Sequence, residues 1–110
     1  MYEYKFELEK VYDGDTVYGW IDLGMQTKVY KKIRLFGIQA PEVKTKNKEE
    51  KKKGFRSKEW LINVLSGEDI IIKTEQDKTG KYGRVLGTLF IGEMNVNEKA
   101  LQTGMAKVYE

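Results

Sequence analysis

Neither cysteine nor histidine occurs anywhere in this 110-residue sequence. The first absence excludes a disulfide framework, a thiol nucleophile and thiolate-held metals. The second excludes imidazole as a general base and the common histidine sites for zinc and iron. Acid-base or metal chemistry near neutral pH therefore falls to carboxylates, lysine, tyrosine or metal-bound water. No window reaches the roughly 18 consecutive apolar residues of a membrane span. The amino terminus, MYEYKFELEK, lacks the basic start and continuous apolar core of a signal peptide. These absences predict no membrane contact and, if the chain is complete, a cytoplasmic location.

An excess of one charge is missing too, since 20 basic residues face 17 acidic ones for a net charge of +3. With a pI near 9.0, what matters for a polyanionic partner is where the lysines and arginines collect. The length and the 40% hydrophobic content suit one domain, residues 1–110, with a single core. No repeat or linker divides it, and a monomer is expected.

The lone proline is Pro41. Before it, Tyr4, Phe6 and Leu8 alternate with charged residues and predict a half-buried strand from Tyr2 to about Lys10. Asp13-Gly14 is a hairpin signal, with a second strand from Val17 to about Leu23 and a turn at Gly24. From Lys28 to Phe36 the alternation predicts a third strand, with Arg34 on the face opposite Ile33 and Leu35. Pro41 requires that strand to end by about Gly37.

KTKNKEEKKKG, with six lysines against two glutamates, reads as a basic loop running into a helix. Phe55, Leu61, Val64 and Leu65, with Trp60 or Ile62 at the edge, form the apolar stripe of that helix, which ends near Ser66-Gly67. DIIIKT suits a strand buried on both faces. Glu75 to Arg84 has the glycine spacing of a loop, and VLGTLFI returns to strand composition. A last short helix carries Val96, Ala100 and Leu101 on one face, with Asn95 or Asn97 as cap and Gly104 as stop. Five strands with helices after the third and the fifth predict an α+β domain, mainly β, for which a small barrel is the economical closure.

The polar residues at the strand ends are Asp13, Asp15 and Thr16; Arg34; Gln39 and Glu42; and Lys81, Tyr82 and Arg84. Singly, each has a plain structural explanation as a turn former or solvated strand residue. Together, arginines beside carboxylates without histidine or cysteine suit phosphodiester chemistry assisted by a hard, oxygen-binding cation. Arginine forks neutralise the nonbridging oxygens as phosphorus gathers charge, while carboxylates hold the cation and orient water.

VYDGDTV, IRLFGIQAPE, DKTGKYGRVLG and MNVNEKALQTGMAKV, in that order, resemble the successive motifs of the thermonuclease family, the staphylococcal-nuclease-like domains. The resemblance implies a five-stranded OB-type barrel with two packed helices and a calcium-dependent phosphodiesterase that cuts DNA and RNA to 3′-phosphates. By position, Arg34 and Arg84 resemble the family's phosphate-clamping arginines, and Glu42 its water-positioning glutamate. Lys81 and Tyr82 resemble contacts to the terminal phosphate. Asp15 resembles a calcium-ligating aspartate, Asp13 lies behind the ion, and the Ala40 carbonyl resembles another ligand.

Gln39 departs from this pattern, standing where the family usually carries a second ligating aspartate. An amide oxygen can coordinate calcium but brings no charge, so the expectation is weaker calcium binding or reliance on substrate phosphate to complete the site. The alternative is a catalytically weakened OB-type module that holds single-stranded nucleic acid on Lys44 to Lys53, Lys81 and aromatic faces. A third reading is a domain with only a protein-interaction role.

Overall fold

The computed structural model describes residues 2–75 and 84–109, with the side chains of Tyr2 and Arg84 left out. The elements in chain order are β1 (Tyr2–Asp13), β2 (Thr16–Gly24), β3 (Thr27–Leu35), β4 (Ile38–Gln39), α1 (Lys48–Leu65), β5 (Ile70–Glu75), β6 (Arg84–Ile91), β7 (Met94–Asn95), α2 (Val96–Gln102) and β8 (Lys107–Val108). The antiparallel meander β1-β2-β3 is extended by β5 and β6 on the other side of β1, and a parallel pairing of β3 with β6 closes the ring. The result is the expected five-stranded barrel, mainly β, with two helices outside it. Closure removes the strand edges that would otherwise template aggregation.

Strand alternation sends Val17 and Ile21 from β2, Ile33 and Leu35 from β3, and Ile72 and Leu89 from β5 and β6 into one interior. Leu61 and Leu65 of α1, and Val96 and Ala100 of α2, join it. Each fully buried aliphatic side chain contributes about 1.5 to 3 kcal/mol. This interior dominates stability, and exposed pairs such as Lys28–Glu7 add little.

The departures from expectation have local causes. β1 runs on to Asp13, three residues past Lys10, because irregularities between Leu8 and Lys10 and between Val11 and Asp13 re-aim the strand without ending it. The second turn is centred on Met25 and Gln26, both at positive φ, just after Gly24. The basic stretch after Lys44 is already helical from Lys48. Asn47 caps it by accepting from the amides of Glu49 and Glu50. Phe55 does not belong to the apolar stripe, being 46% exposed, and the small residues Gly54 and Ser57 occupy the buried face instead. In β5, Ile70 and Ile72 are buried but Ile71 between them is half-buried, so the strand is not covered equally on both faces.

Asn95, not Asn97, caps α2. Asn97 is instead a buried plug: its side-chain amide donates to the carbonyls of Phe36 (2.9 Å) and Gly87 (3.2 Å), and its oxygen accepts the Leu89 amide at 3.2 Å. It ties α2 to β6 and to the chain just after β3. A buried group left without its partner costs about 1 to 3 kcal/mol. Asn97→Ala is therefore expected to destabilise the domain by about 2 to 4 kcal/mol in urea unfolding with an unchanged m-value. A loss below about 0.5 kcal/mol would show that the plug's hydrogen bonds add little to the fold's stability.

Candidate functional site

The Asp13-Gly14-Asp15 turn sits at one end of the barrel, where β1 hands over to β2. Asp13 Oδ1 accepts the Asp15 amide at 3.2 Å, the local bond for which aspartate is favoured in turns. A Cβ on Gly14 would lie 2.7 Å from the Cβ atoms of both Ala40 and Ser57. Only glycine lets the turn press against the segment after β4 and against α1 at once.

That pressure buries Asp15, whose carboxylate is shared among three donors. Oδ1 accepts the Thr16 hydroxyl at 2.9 Å. Oδ2 accepts the Ala40 amide at 2.8 Å and pairs with Arg34 Nη1 at 3.1 Å. Arg34 is placed for this by strand register: it lies opposite Thr16 in the β2-β3 ladder, and its neighbours Ile33 and Leu35 point into the barrel. Its Nη1 is 3.4 Å from the Asp15 carbonyl oxygen, and its guanidinium lies 5.4 Å from the Tyr109 ring centre. Tyr109 reaches it because β8 pairs with β4, Ile38 with Val108 and Gln39 with Lys107, and the Tyr109 amide donates to Gly37. The pattern-based reading missed this pairing, since two-residue strands carry no periodicity.

Gln39 is exposed and Ala40 buried, with the Ala40 amide consumed by Asp15. Glu42 follows Pro41 and is exposed. Its backbone is fixed by α1: a Cβ on Gly54 would fall 2.4 Å from the Glu42 carbonyl oxygen and 2.9 Å from the Val43 nitrogen. Gly54 inside a lysine-rich helix was the sequence signal for this close approach, and the stripe assignment passed over it. Gln39 and Glu42 open on a hollow of about 710 Å³ that Asn47, Glu50, Lys53 and Lys107 also line.

The structure thus brings Asp13, Asp15, Arg34, Gln39, Ala40 and Glu42 to one end of the barrel. Arg84 opens β6 with its backbone beside Lys32, while Arg34 faces Leu86 in the same parallel ladder. Lys81 and Tyr82 lie outside the described residues.

The donors fit a hard cation in kind. Asp13 and Asp15 are adjacent buried carboxylates, and burial first, then the Asp15 carboxylate, push Asp13 up from 3.8 to about 7. A cation would relieve that repulsion. In number the set is poor: among the described residues no three acidic side chains converge as a metal site, and Gln39 brings an uncharged oxygen.

In the metal-free protein the raised value has a definite sign. Folded Asp13 keeps its proton between pH 3.8 and about 7 while the unfolded chain gives it up, so the folded state loses stability as pH rises through that window. Relative to Asp13→Asn, the wild type in EDTA should lose thermal stability between those limits and run parallel above them. A difference that stays flat with pH would contradict this environment for Asp13.

Comparison with known proteins agrees with the geometry. The family model described as staphylococcal nuclease homologue matches residues 32–110. An uncharacterized protein of Methanocaldococcus jannaschii is 32% identical over 96% of this chain and 59% of its own length. The thermonuclease of Staphylococcus hyicus is 25% identical, again over 96% of this chain and 59% of its own. Ribonuclease TUDOR 1 of Arabidopsis thaliana is 28% identical over 73% of the chain and 8% of its own length. The chain spans 59% of the length of the first two of these relatives. With the barrel, the turn and the family model in agreement, the chain belongs to the staphylococcal nuclease homologue family.

Proposed function

We propose that this chain is a calcium-assisted phosphodiesterase acting on single-stranded DNA or RNA and leaving 3′-phosphate ends. The observation that carries the reading is the Asp15–Arg34 pair: an arginine with a side chain 17% exposed, oriented by a buried carboxylate at the barrel end where Glu42 is presented. Nuclease names among the relatives support the reaction class.

Arg34 binds a nonbridging phosphate oxygen, and because Asp15 and Tyr109 already hold its guanidinium, little side-chain entropy is lost when substrate arrives. Arg84 clamps the same phosphoryl group from β6. Glu42 orients a water for in-line attack and takes its proton as the P–O5′ bond breaks; the leaving 5′-oxygen takes a proton from solvent water, to which Glu42 returns its own. Two extended residues span at most about 7 Å, so the tie between Ala40 and Asp15 limits how far Glu42 strays from the arginine. Lys81 and Tyr82 contact the terminal phosphate. A calcium ion held by Asp15, Gln39 and the Ala40 carbonyl, with Asp13 behind it, would supply positive charge to the phosphoryl oxygens.

Gln39 favours a second reading, a single-strand-binding module with weakened hydrolysis, because the cation site then has one carboxylate fewer. Cleavage of labelled single-stranded DNA with calcium titrated from micromolar to tens of millimolar decides between them. The first reading predicts EDTA-sensitive cleavage that Arg34→Ala lowers by about a hundredfold to a thousandfold, the scale of losing one preorganised donor. Glu42→Gln should fall comparably. Retained binding without cleavage at any calcium concentration would establish the module instead. Gln39→Asp is expected to lower the calcium concentration for half-maximal rate by about tenfold or more. An unchanged midpoint would remove Gln39 from the cation's surroundings.

A further inference from the structure

One row along the sheet from Arg34, the outer face of the barrel changes character. β2 sends Val17, Gly19 and Ile21 inward and Tyr18 and Trp20 outward, with Thr16 on the outward face but buried against Asp15, and β3 answers with outward Arg34, Lys32 and Tyr30. Thr16 faces Arg34, Tyr18 faces Lys32 and Trp20 faces Tyr30. At about 3.3 Å per residue, the last row lies roughly 13 Å from the first. Tyr12 of β1 adds a fourth ring, because the irregularities in that strand turn it outward beside Tyr18.

The rings form an unbroken series. Tyr12 meets Tyr18 edge to face at 6.3 Å, Tyr18 and Tyr30 stack at 6.3 Å, and Tyr30 meets Trp20 at 5.1 Å. Cations lie over them: Lys10 is 4.8 Å from the Tyr18 ring, and Lys32 and Lys44 are 6.0 and 5.9 Å from the Tyr12 ring. The acidic groups nearby are engaged, Glu9 by the Tyr30 hydroxyl at 2.7 Å and Glu7 by Lys28 at 2.8 Å. Cross-strand aromatic pairs stabilise any sheet. Sheet stability alone gives no reason to leave Trp20 and Tyr30 each 39% exposed, or to set lysines on the solvent side. α1 packs on β1, and α2 on β6 and β7, so the helices pack mainly away from β2 and β3, the strands that carry Tyr18, Trp20 and Tyr30.

We propose that the outer face of β1-β2-β3 is a single-strand track, on which bases stack against Tyr12, Tyr18, Tyr30 and Trp20 while Lys10, Lys32 and Lys44 neutralise the backbone. Exposed rings interleaved with lysines match single-stranded nucleic acid, whose unpaired bases offer the faces that a duplex hides. For its polarity toward Arg34 the track rests on the nuclease reading; for its ligand it does not. It makes the chain a processor of strands longer than the one phosphate that Arg34 holds.

The test is binding of an oligothymidylate of about twelve nucleotides in EDTA, followed by anisotropy. In a Trp60→Phe background, Trp20 is left as the indole reporter and should be quenched as the oligonucleotide is added. Tyr18→Leu and Trp20→Leu should each weaken binding about five- to hundredfold, while Tyr18→Phe, which keeps the ring, should bind like the wild type. Circular dichroism checks that each variant folds. Cleavage of a dinucleotide, too short to reach Trp20, should be unaffected by Trp20→Leu.

Unquenched Trp20, or leucine variants that bind as wild type, would overturn the track and leave the nuclease reading standing. Equal affinity for duplex would overturn it too, by reducing the face to a charge patch. Self-association through this face in place of oligonucleotide binding would assign it to a second copy of the chain. Weakened binding in the leucine variants of a protein that cleaves nothing would sustain the track and sink the nuclease reading.

Discussion

The Asp15 carboxylate takes a hydroxyl from Thr16, an amide from Ala40 and a guanidinium from Arg34, and through them one buried group joins the β1-β2 turn, strand β3 and the segment leading to Glu42. A buried anion is tolerated only when paired and hydrogen-bonded. Each partner is therefore constrained by the carboxylate as much as it satisfies it. The two close glycines serve the same junction: Gly14 lets the turn reach Ala40 and Ser57, and Gly54 lets α1 reach the backbone of Glu42. The barrel's role in function is to deliver these three pieces of chain to one place.

Around that junction the chemistry is uneven. The arginine is firmly held, by an ion pair on one side and the Tyr109 ring near it. The side proposed for the cation is thinner, with Gln39 exposed and Asp13 inclined to keep its proton close to neutral pH. Under the proposed calcium-assisted reading, a site built this way would lean on the substrate's own phosphates to complete it. A track of rings and lysines beside it would compensate by holding the strand, which trades affinity for the metal against affinity for the polymer.

Much of this was legible in the sequence, for reasons that differ by element. Alternation marked β1 and placed Arg34 on the outer face with Ile33 and Leu35 within; the other strands were signalled by the Asp13-Gly14 turn, by the apolar run DIIIKT and by the composition of VLGTLFI. The Asp13-Gly14 turn is as its residues demand. Phe55 was misplaced because helical spacing counts apolar residues and is blind to a glycine and a serine making the contact. Asn97 was read as a cap candidate, since burial of a polar side chain becomes visible only when its three partners are in place. The β4-β8 pairing that brings Tyr109 to Arg34 is too short to leave a pattern. The aromatic face was spread over three strands, and it becomes one surface only when the register aligns Tyr18, Tyr30 and Trp20. Lys81 and Tyr82 lie outside the described residues and the Arg84 side chain with them, so those assignments rest on position in the chain alone.

The dependence on Asp15 is tested most directly by a double-mutant cycle between Asp15→Ala and Arg34→Ala, read as urea-unfolding free energies of the metal-free protein. Partners in one buried ion pair should be coupled, by about 1 to 3 kcal/mol, because either single change strands the other charge. Additivity within about 0.5 kcal/mol would mean that Arg34 is held by other means and that the carboxylate is not the junction.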